Sequence, residues 1–318
     1  MADAFIGIDL GGTNLRFGLV DENARIIARR RYGTGAQDGV QAVVERLMEG
    51  ILALSEKASG LGMKVKGAGV GLPGIIDGQG VVRVSPNLSG WQDIPLRQML
   101  SSALPFPVFV ENDANAHALG EAWFGAGKDI KSAVCLTLGT GVGGGIILNG
   151  KIWAGADGMA GEVGHVTVEP DGRPCPCGNR GCLERYASAT AVVEITAEAL
   201  RAGARSSLGK LYRNDPAALT PEAIADAAEA GDALASRVYA QAGRYLGIAS
   251  AGLINLLNVE RLIIGGGLAN AWRLFIGPLR EEAAARAFAI PFKRCRIVRA
   301  KLKDDAGILG AAGLALKA

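Results

Sequence analysis

Apolar residues in this chain fall into short runs that stop at glycine clusters and into longer, alanine-rich stretches. FIGIDL runs into GGTN (residues 5–14) and is followed by RFGLV, while AVCLTL runs into GTGVGGG (residues 133–145) and is followed by IILNG. An apolar run, a tight glycine turn and a second apolar run predict a β-hairpin in each case. VFV predicts a strand ahead of Glu111, Asn112 and Asp113, with a helix starting near Ala114. RLII (261–264) predicts a buried strand that ends in GGG, with another helix beginning near Trp272. The alanine-rich stretch 233–257 reads as one long helix, and Thr220 with Pro221 marks the cap and first turn of the helix before it. A closing helix is predicted over 305–317 (DAGILGAAGLALK).

Strands that alternate with helices predict an α/β protein, and 318 residues make one large domain or two of moderate size. The two hairpins lie about 130 residues apart and suggest two similar halves that face one ligand. Glycine, at 46 residues, is roughly twice its usual share, so many positions need an unusual backbone angle or a close approach. The net charge of +3 is spread along the chain, and no basic block suggests a nucleic-acid groove. The N-terminus starts MADAF, without the basic start and long apolar core of a signal peptide, and runs such as 246–257 are too short to span a bilayer. The expectation is a soluble, cytoplasmic protein with no nucleic-acid or membrane partner.

In a reducing compartment clustered cysteines more often hold metal than form disulfides. PCPCGNRGC (174–182) carries three of the five cysteines, and His165 lies ten residues before Cys175. The row H-x9-C-x-C-x4-C (His165, Cys175, Cys177, Cys182) offers one imidazole and three thiolates, a set that suits tetrahedral Zn²⁺. Free thiols are the plain alternative, and a disulfide across C-x-C would be strained. No H-E-x-x-H pattern occurs and protein fills all four positions, so the zinc would be structural.

Bare backbone N–H groups in both glycine turns can cradle phosphate oxygens, with Thr13 and Thr140 adding hydroxyls; an ordinary hairpin turn is the alternative. The third cluster, GGG, suits a nucleotide base or ribose, or merely close helix packing. Asp113 stands where a helix cap belongs. It also stands at a strand end, where a carboxylate can accept a hydroxyl proton as that oxygen attacks phosphorus. Glu162, His165 and Glu184 flank the cysteine row and make a polar set suited to a polyhydroxyl ligand.

In their order, DLGGTN, GLPGIID, SPNLSGW, VENDAN, LTLGTGVGGG, GEVGH, CPCGNRGCLE and LIIGGG resemble the sugar kinases of the ROK family, within the actin-like ATPase superfamily, over almost the whole chain. The resemblance implies two RNase-H-like α/β domains with an active-site cleft between them. It implies ATP-dependent transfer to a hexose hydroxyl, usually O6, with Asp113 as base. Asn87, Asn112, Glu162, His165 and Glu184 would bind the sugar, and Gly71 and Gly74 would line its pocket. Asp9, Gly11, Gly12, Thr13 and Asn14 would hold the phosphates with Mg²⁺, together with Leu138, Gly139, Thr140, Gly141, Val142, Gly143, Gly144 and Gly145. Gly265, Gly266 and Gly267 would take the adenosine side.

The smaller domain is expected over 1–115 plus 303–318 and the larger over 116–302. A homodimer is the expected assembly. The wording of the motifs points to glucose; an N-acetylhexosamine is the alternative acceptor, polyphosphate the alternative donor, and a sugar-sensing regulator the alternative function. Regulators in the family carry a DNA-binding module ahead of the first glycine motif, which here begins at Phe5. CPCG stands where CGCG is commoner, and His117 stands on an otherwise alanine-rich helix face, where a packing or surface role is expected. Cys135 and Cys295 are expected in strands without chemistry.

Overall fold

The computed structural model describes residues 1–318. In chain order it begins with β1 (Ala2–Leu10), β2 (Asn14–Asp21), β3 (Ile26–Gly33), α1 (Val40–Gly60) and β4 (Met63–Leu72). There follow β5 (Ile75–Ile76), β6 (Val82–Val84), β7 (Gln92–Ile94), α2 (Leu96–Ser101), β8 (Val108–Asn112) and α3 (Asp113–Phe124). The middle holds β9 (Ala133–Leu138), β10 (Val142–Leu148), β11 (Lys151–Ile152), α4 (Glu184–Ala187), α5 (Ala189–Arg201), α6 (Leu208–Asn214), α7 (Pro221–Glu229) and α8 (Ala233–Leu257). The chain closes with β12 (Arg261–Gly265), α9 (Trp272–Arg286), α10 (Ala289–Arg294), β13 (Arg296–Arg299) and α11 (Ala306–Leu316).

One sheet has the order β3-β2-β1-β4-β8 and another β11-β10-β9-β12-β13; β5-β6-β7 form a small third sheet. In both large sheets the order is third, second, first, fourth, fifth in chain sequence, so the two hairpins mark the start of a repeated architecture. In the first sheet β1, β2 and β3 run antiparallel, whereas β4 and β8 run parallel to β1. Both predicted hairpins form, each turning over three residues.

The chain divides into two compact units: Met1–Cys135, Gly145–Gly161 and Ala300–Ala318 in the first, Leu136–Gly144 and Glu162–Arg299 in the second. This differs from a division at residue 115, because α3 packs on α11 and stays with the first unit. Strand β1 is buried on both sides, as a near-continuous apolar run requires. Ile6, Ile8 and Leu10 join the core that includes Val43, Leu47 and Ile51 of α1, while Phe5 packs with Ile308, Leu309 and Ala312 of α11. Strand alternation therefore puts Phe5, Gly7 and Asp9 on the α11 side.

On that side the fold depends on missing side chains. A Cβ at Gly7 would strike the carbonyl of Ile308, one at Gly69 the carbonyl of Ala311, and one at Gly310 the carbonyl of Ala116 on α3. Helix α11 thus lies backbone-to-backbone against both the sheet and α3. The second unit uses the same device where Gly243 and Gly247 of α8 meet the carbonyls of Phe275 and Leu279 on α9. Helix α8 spans the predicted residues, and the Thr220 hydroxyl caps α7 by accepting from the Ala223 N–H at 3.2 Å. Gly310→Ala should destabilise the protein by about 1–3 kcal/mol through overpacking. Gly252→Ala on α8, where a Cβ meets nothing within 4 Å, should be neutral or slightly stabilising; equal denaturation midpoints for the two variants would contradict the account.

Candidate active site

Parallel strands deliver their carboxyl ends to one edge of the first sheet. Register places Arg31 opposite Arg16, Arg16 opposite Asp9, Asp9 opposite Gly71 and Gly71 opposite Glu111. One row across the sheet therefore carries two guanidinium groups and two carboxylates. Asp9 is buried and ion-paired with Arg16. A Cβ at Gly71 would stand 2.9 Å from the Ala116 Cβ and 3.7 Å from the Asp113 Cα, so a glycine here lets α3 begin close to the sheet.

Helix α3 starts with a division of labour between neighbours. Asn112, not Asp113, is the cap: its Oδ1 accepts from the Asn115 N–H at 3.1 Å, and its Nδ2 donates to the Gly74 carbonyl at 3.0 Å. Glu111 Oε1 accepts from the Asn112 N–H at 2.9 Å and from Asn115 Nδ2 at 3.0 Å. These bonds fix the turn and leave Asp113 as the first helical residue. Burial raises the pKa of Asp113 above the usual carboxylate range and the nearby Asp9 adds to the rise, while His117 and the Ala114 N–H oppose it.

The first glycine turn closes through Gly11 N–H donating to Asn14 O at 2.9 Å, and the Thr34 hydroxyl ties down the Gly11 carbonyl at 2.6 Å. A hollow of about 410 Å³ lies over it, lined by Gly11, Gly12, Thr13, Asn14, Arg16 and Arg31, with Asp304. A Cβ at Gly12 would reach within 3.5 Å of Asn87 O, so this turn meets the SPNLSGW loop, where Asn87 is exposed.

The second glycine turn closes one residue tighter, through Gly139 N–H donating to Gly141 O at 2.9 Å, and its Gly139 carbonyl accepts from the Ala189 N–H at 2.8 Å. The Val142 N–H donates to Glu184 Oε2 at 3.1 Å, and a Cβ at Gly164 would strike the Val142 carbonyl. Val142 is therefore held between Glu184 and the GEVGH turn. Gly266, at φ +84°, lies against the Leu138 backbone with no room for a side chain.

His165 Nδ1, Cys175 Sγ, Cys177 Sγ and Cys182 Sγ all lie within 4.8 Å of one another. His165 Nδ1 is 3.7 Å from Cys175 Sγ, and Cys177 Sγ is 3.7 Å from Cys182 Sγ. A tetrahedral ion with bonds of about 2.3 Å to sulfur requires ligand separations of about 3.8 Å. The other ring nitrogen, Nε2, faces Glu162 Oε2 at 3.9 Å. The Asn179 N–H, with Cys175 next, holds the Cys177 thiol down to about 7, whereas burial pushes Cys182 up to about 12.

Residues 5–318 match the ROK family. The chain belongs to the ROK family. It is 41% identical to a glucokinase of Thermotoga maritima over 97% of this chain and 96% of that protein. A ROK family glucokinase from Streptomyces griseus, solved in complex with glucose and AMPPNP, superposes with a TM-score of 0.82 at 34% identity, covering 99% of this chain and 100% of the other. A xylose repressor of Caldicellulosiruptor bescii is 34% identical over 96% of this chain, which covers 76% of the repressor. The fold is that of the actin-like ATPase superfamily, in agreement with the doubled sheet order.

Several positions of the ROK motifs have structural work as well. In the first unit the turn 11–14, Gly71, Gly74, Asn87, Asn112 and Asp113 gather near the carboxyl ends of β1, β4 and β8. In the second, the turn 139–141, Gly143, Glu162, His165, Glu184 and the 265–267 turn form a connected set. Leu138, Val142, Gly144 and Gly145 are buried, and a Cβ at Gly145 would strike the Ala118 Cβ, so that glycine serves packing on α3. Of the two roles expected for His117, the structure shows packing: it is half-buried, with its ring bonded to the Asp113 carbonyl. The sequence reading missed Arg16 and Arg31. Their signal is present, since an alternating RFGLV after a three-residue turn puts Arg16 across from Asp9.

Because the folded pKa of Asp113 lies above its unfolded value, the protonated form favours the folded state. That contribution is present below the unfolded pKa, about 3.9, and is lost as pH rises through the folded pKa. Asp113→Asn should therefore raise the denaturation midpoint at neutral pH, with the gain shrinking as pH falls toward about 4. A variant less stable than the parent at neutral pH would contradict the burial argument.

Proposed function

We propose that this protein is an ATP-dependent hexose kinase that phosphorylates the 6-hydroxyl of glucose, with Asp113 as general base. The observation that carries the reading is the start of α3: Asn112 takes the cap, and Asp113 keeps a carboxylate of raised pKa beside the row from Arg31 to Glu111. In the transfer, Asp113 takes the proton of the 6-hydroxyl as the oxygen forms its bond to the γ-phosphorus. The bond from that phosphorus to the bridging oxygen breaks, and ADP leaves. Mg²⁺ bound with the phosphates would supply neutralisation of their charge. On this chain Asp9 and the 11–14 turn would hold phosphates with it, Arg16 and Arg31 would add positive charge, and the 138–145 segment would supply a second set of backbone N–H groups. Gly265, Gly266 and Gly267 would take the adenosine.

Asn87, Asn112, Glu162, His165 and Glu184 would read the sugar hydroxyls, with Gly71 and Gly74 bordering them. The four-residue cluster would hold Zn²⁺ in a structural role, since its spacing fits a tetrahedron filled by protein ligands. His165 would then use Nδ1 for the ion, leaving Nε2 toward Glu162 and the sugar. Held there, the ion would stiffen the loop that ends in Glu184, whose Oε2 accepts from the Val142 N–H of the second glycine turn.

Asp113→Ala should lower kcat at least about 100-fold with glucose binding retained. Near-normal turnover would remove Asp113 from the role of base. Metal analysis should find one zinc per chain, and Cys177→Ser should lose the ion and lower thermal stability; a metal-free parent protein of full stability would remove zinc. Coupled-assay rates on glucose, N-acetylglucosamine, N-acetylmannosamine and mannose decide the acceptor. A preference for an N-acetylated sugar would replace glucose in the reading, and sugar binding without turnover would point instead to a regulator.

A further inference from the structure

The row at the strand ends has a neighbour that the transfer reaction has not used. His117 lies one helical turn after Asp113, on the same face of α3. Its Nδ1 is 2.9 Å from the Asp113 carbonyl oxygen. A carbonyl oxygen only accepts, so Nδ1 carries the proton. That oxygen has two lone pairs and can take the imidazole N–H beside its helical partner. The bond pins the ring to the turn that carries the carboxylate.

The other edge of the ring reaches β1 and α11. A Cβ at Gly307 would stand 2.9 Å from His117 Cε1 and 2.8 Å from Asp9 Oδ2. The ring and the Asp9 carboxylate therefore share one notch, which stays open because α11 has no side chain there. Arg16 on β2 pairs with the same Asp9 oxygen, Oδ2. Glu121, one turn further along α3, is occupied elsewhere: its carboxylate accepts from the N–H groups of Ala126, Lys301 and Leu302 at 2.8, 3.1 and 2.6 Å.

We propose that His117 is a positioning residue for Asp113, which wedges the first turn of α3 against Asp9 and thereby fixes the direction in which the Asp113 carboxylate points. The inference rests on Asp113 being the base. His117 touches neither hydroxyl nor phosphate in this account; it acts through the turn. Its favourable effect on the ionised Asp113 agrees with the same placement.

The test is a double-mutant cycle in the full protein. His117→Ala should lower kcat roughly 5- to 20-fold with the glucose KM within about two-fold, because a misdirected base costs rate rather than ground-state binding. His117→Asn can donate from its carboxamide to the same carbonyl and should recover kcat to within about three-fold. In an Asp113→Asn background, His117→Ala should change the residual kcat by less than about two-fold. If the alanine variant does not fold, His117→Leu keeps the volume without the donor and replaces it. Parental kcat in the donor-free variant, a loss seen mainly in KM, an asparagine variant no better than alanine, or an equal loss without Asp113 would each overturn the proposal. Should Asp113→Asn itself turn over normally, the base assignment fails first, which separates the two readings.

Discussion

Direct contact between backbones, made possible where glycine leaves no side chain, governs the first unit. Helix α11 is the last element of the chain, yet it seats on strands made at its beginning. It does so through Gly7 and Gly69 on the sheet and through Gly310 against α3. Once α11 is at that distance, α3 has one place to lie, and its first turn falls beside Asp9. Gly307 belongs to the same seam, and there the absent side chain leaves room for Asp9 and His117. The site geometry is thus a by-product of how closely three elements pack, which dispersion and burial hold in place.

The charges at this edge are kept at some cost. An ionised Asp113 is disfavoured by burial and by Asp9, and it is tolerated because neighbouring bonds give the turn no alternative. Asn112 is central to that constraint. By capping the helix and holding the Gly74 carbonyl at once, it relieves Asp113 of both tasks and joins the GLPG turn to the start of α3. A carboxylate whose proton affinity is raised and whose position is fixed is what general base chemistry near neutral pH requires.

The second unit solves a similar problem with different chemistry. Its long cysteine loop has little apolar residue content of its own, and four ligand atoms within 4.8 Å give it a centre. From Cys182 the chain reaches Glu184 in two residues, and Glu184 holds the Val142 N–H. The cysteine loop and the second glycine turn are therefore coupled through one carboxylate. The xylose repressor relative shows that the ROK scaffold also occurs in proteins with a different named role, so the sheet order by itself does not set a function.

Much of this was legible in the order of residues alone. Apolar runs ending in glycine located both hairpins, the 3.6-residue helix at 233–257 came out at its true length, and the spacing of His165 and the three cysteines predicted their convergence. These features are local: each is fixed by neighbours a few residues away. Other features depended on contacts between distant segments. The cap at α3 moved from Asp113 to Asn112 because the Gly74 carbonyl offers Asn112 a second partner. Residues 116–135 stay with the first unit because α11, nearly 200 residues later, meets α3. His117 comes to lie near Asp9 because Gly307 leaves room for both at one notch. The sequence by itself determined the elements and the chemical groups; tertiary packing decided which groups face each other, since that depends on approach distances between backbones that no local pattern encodes.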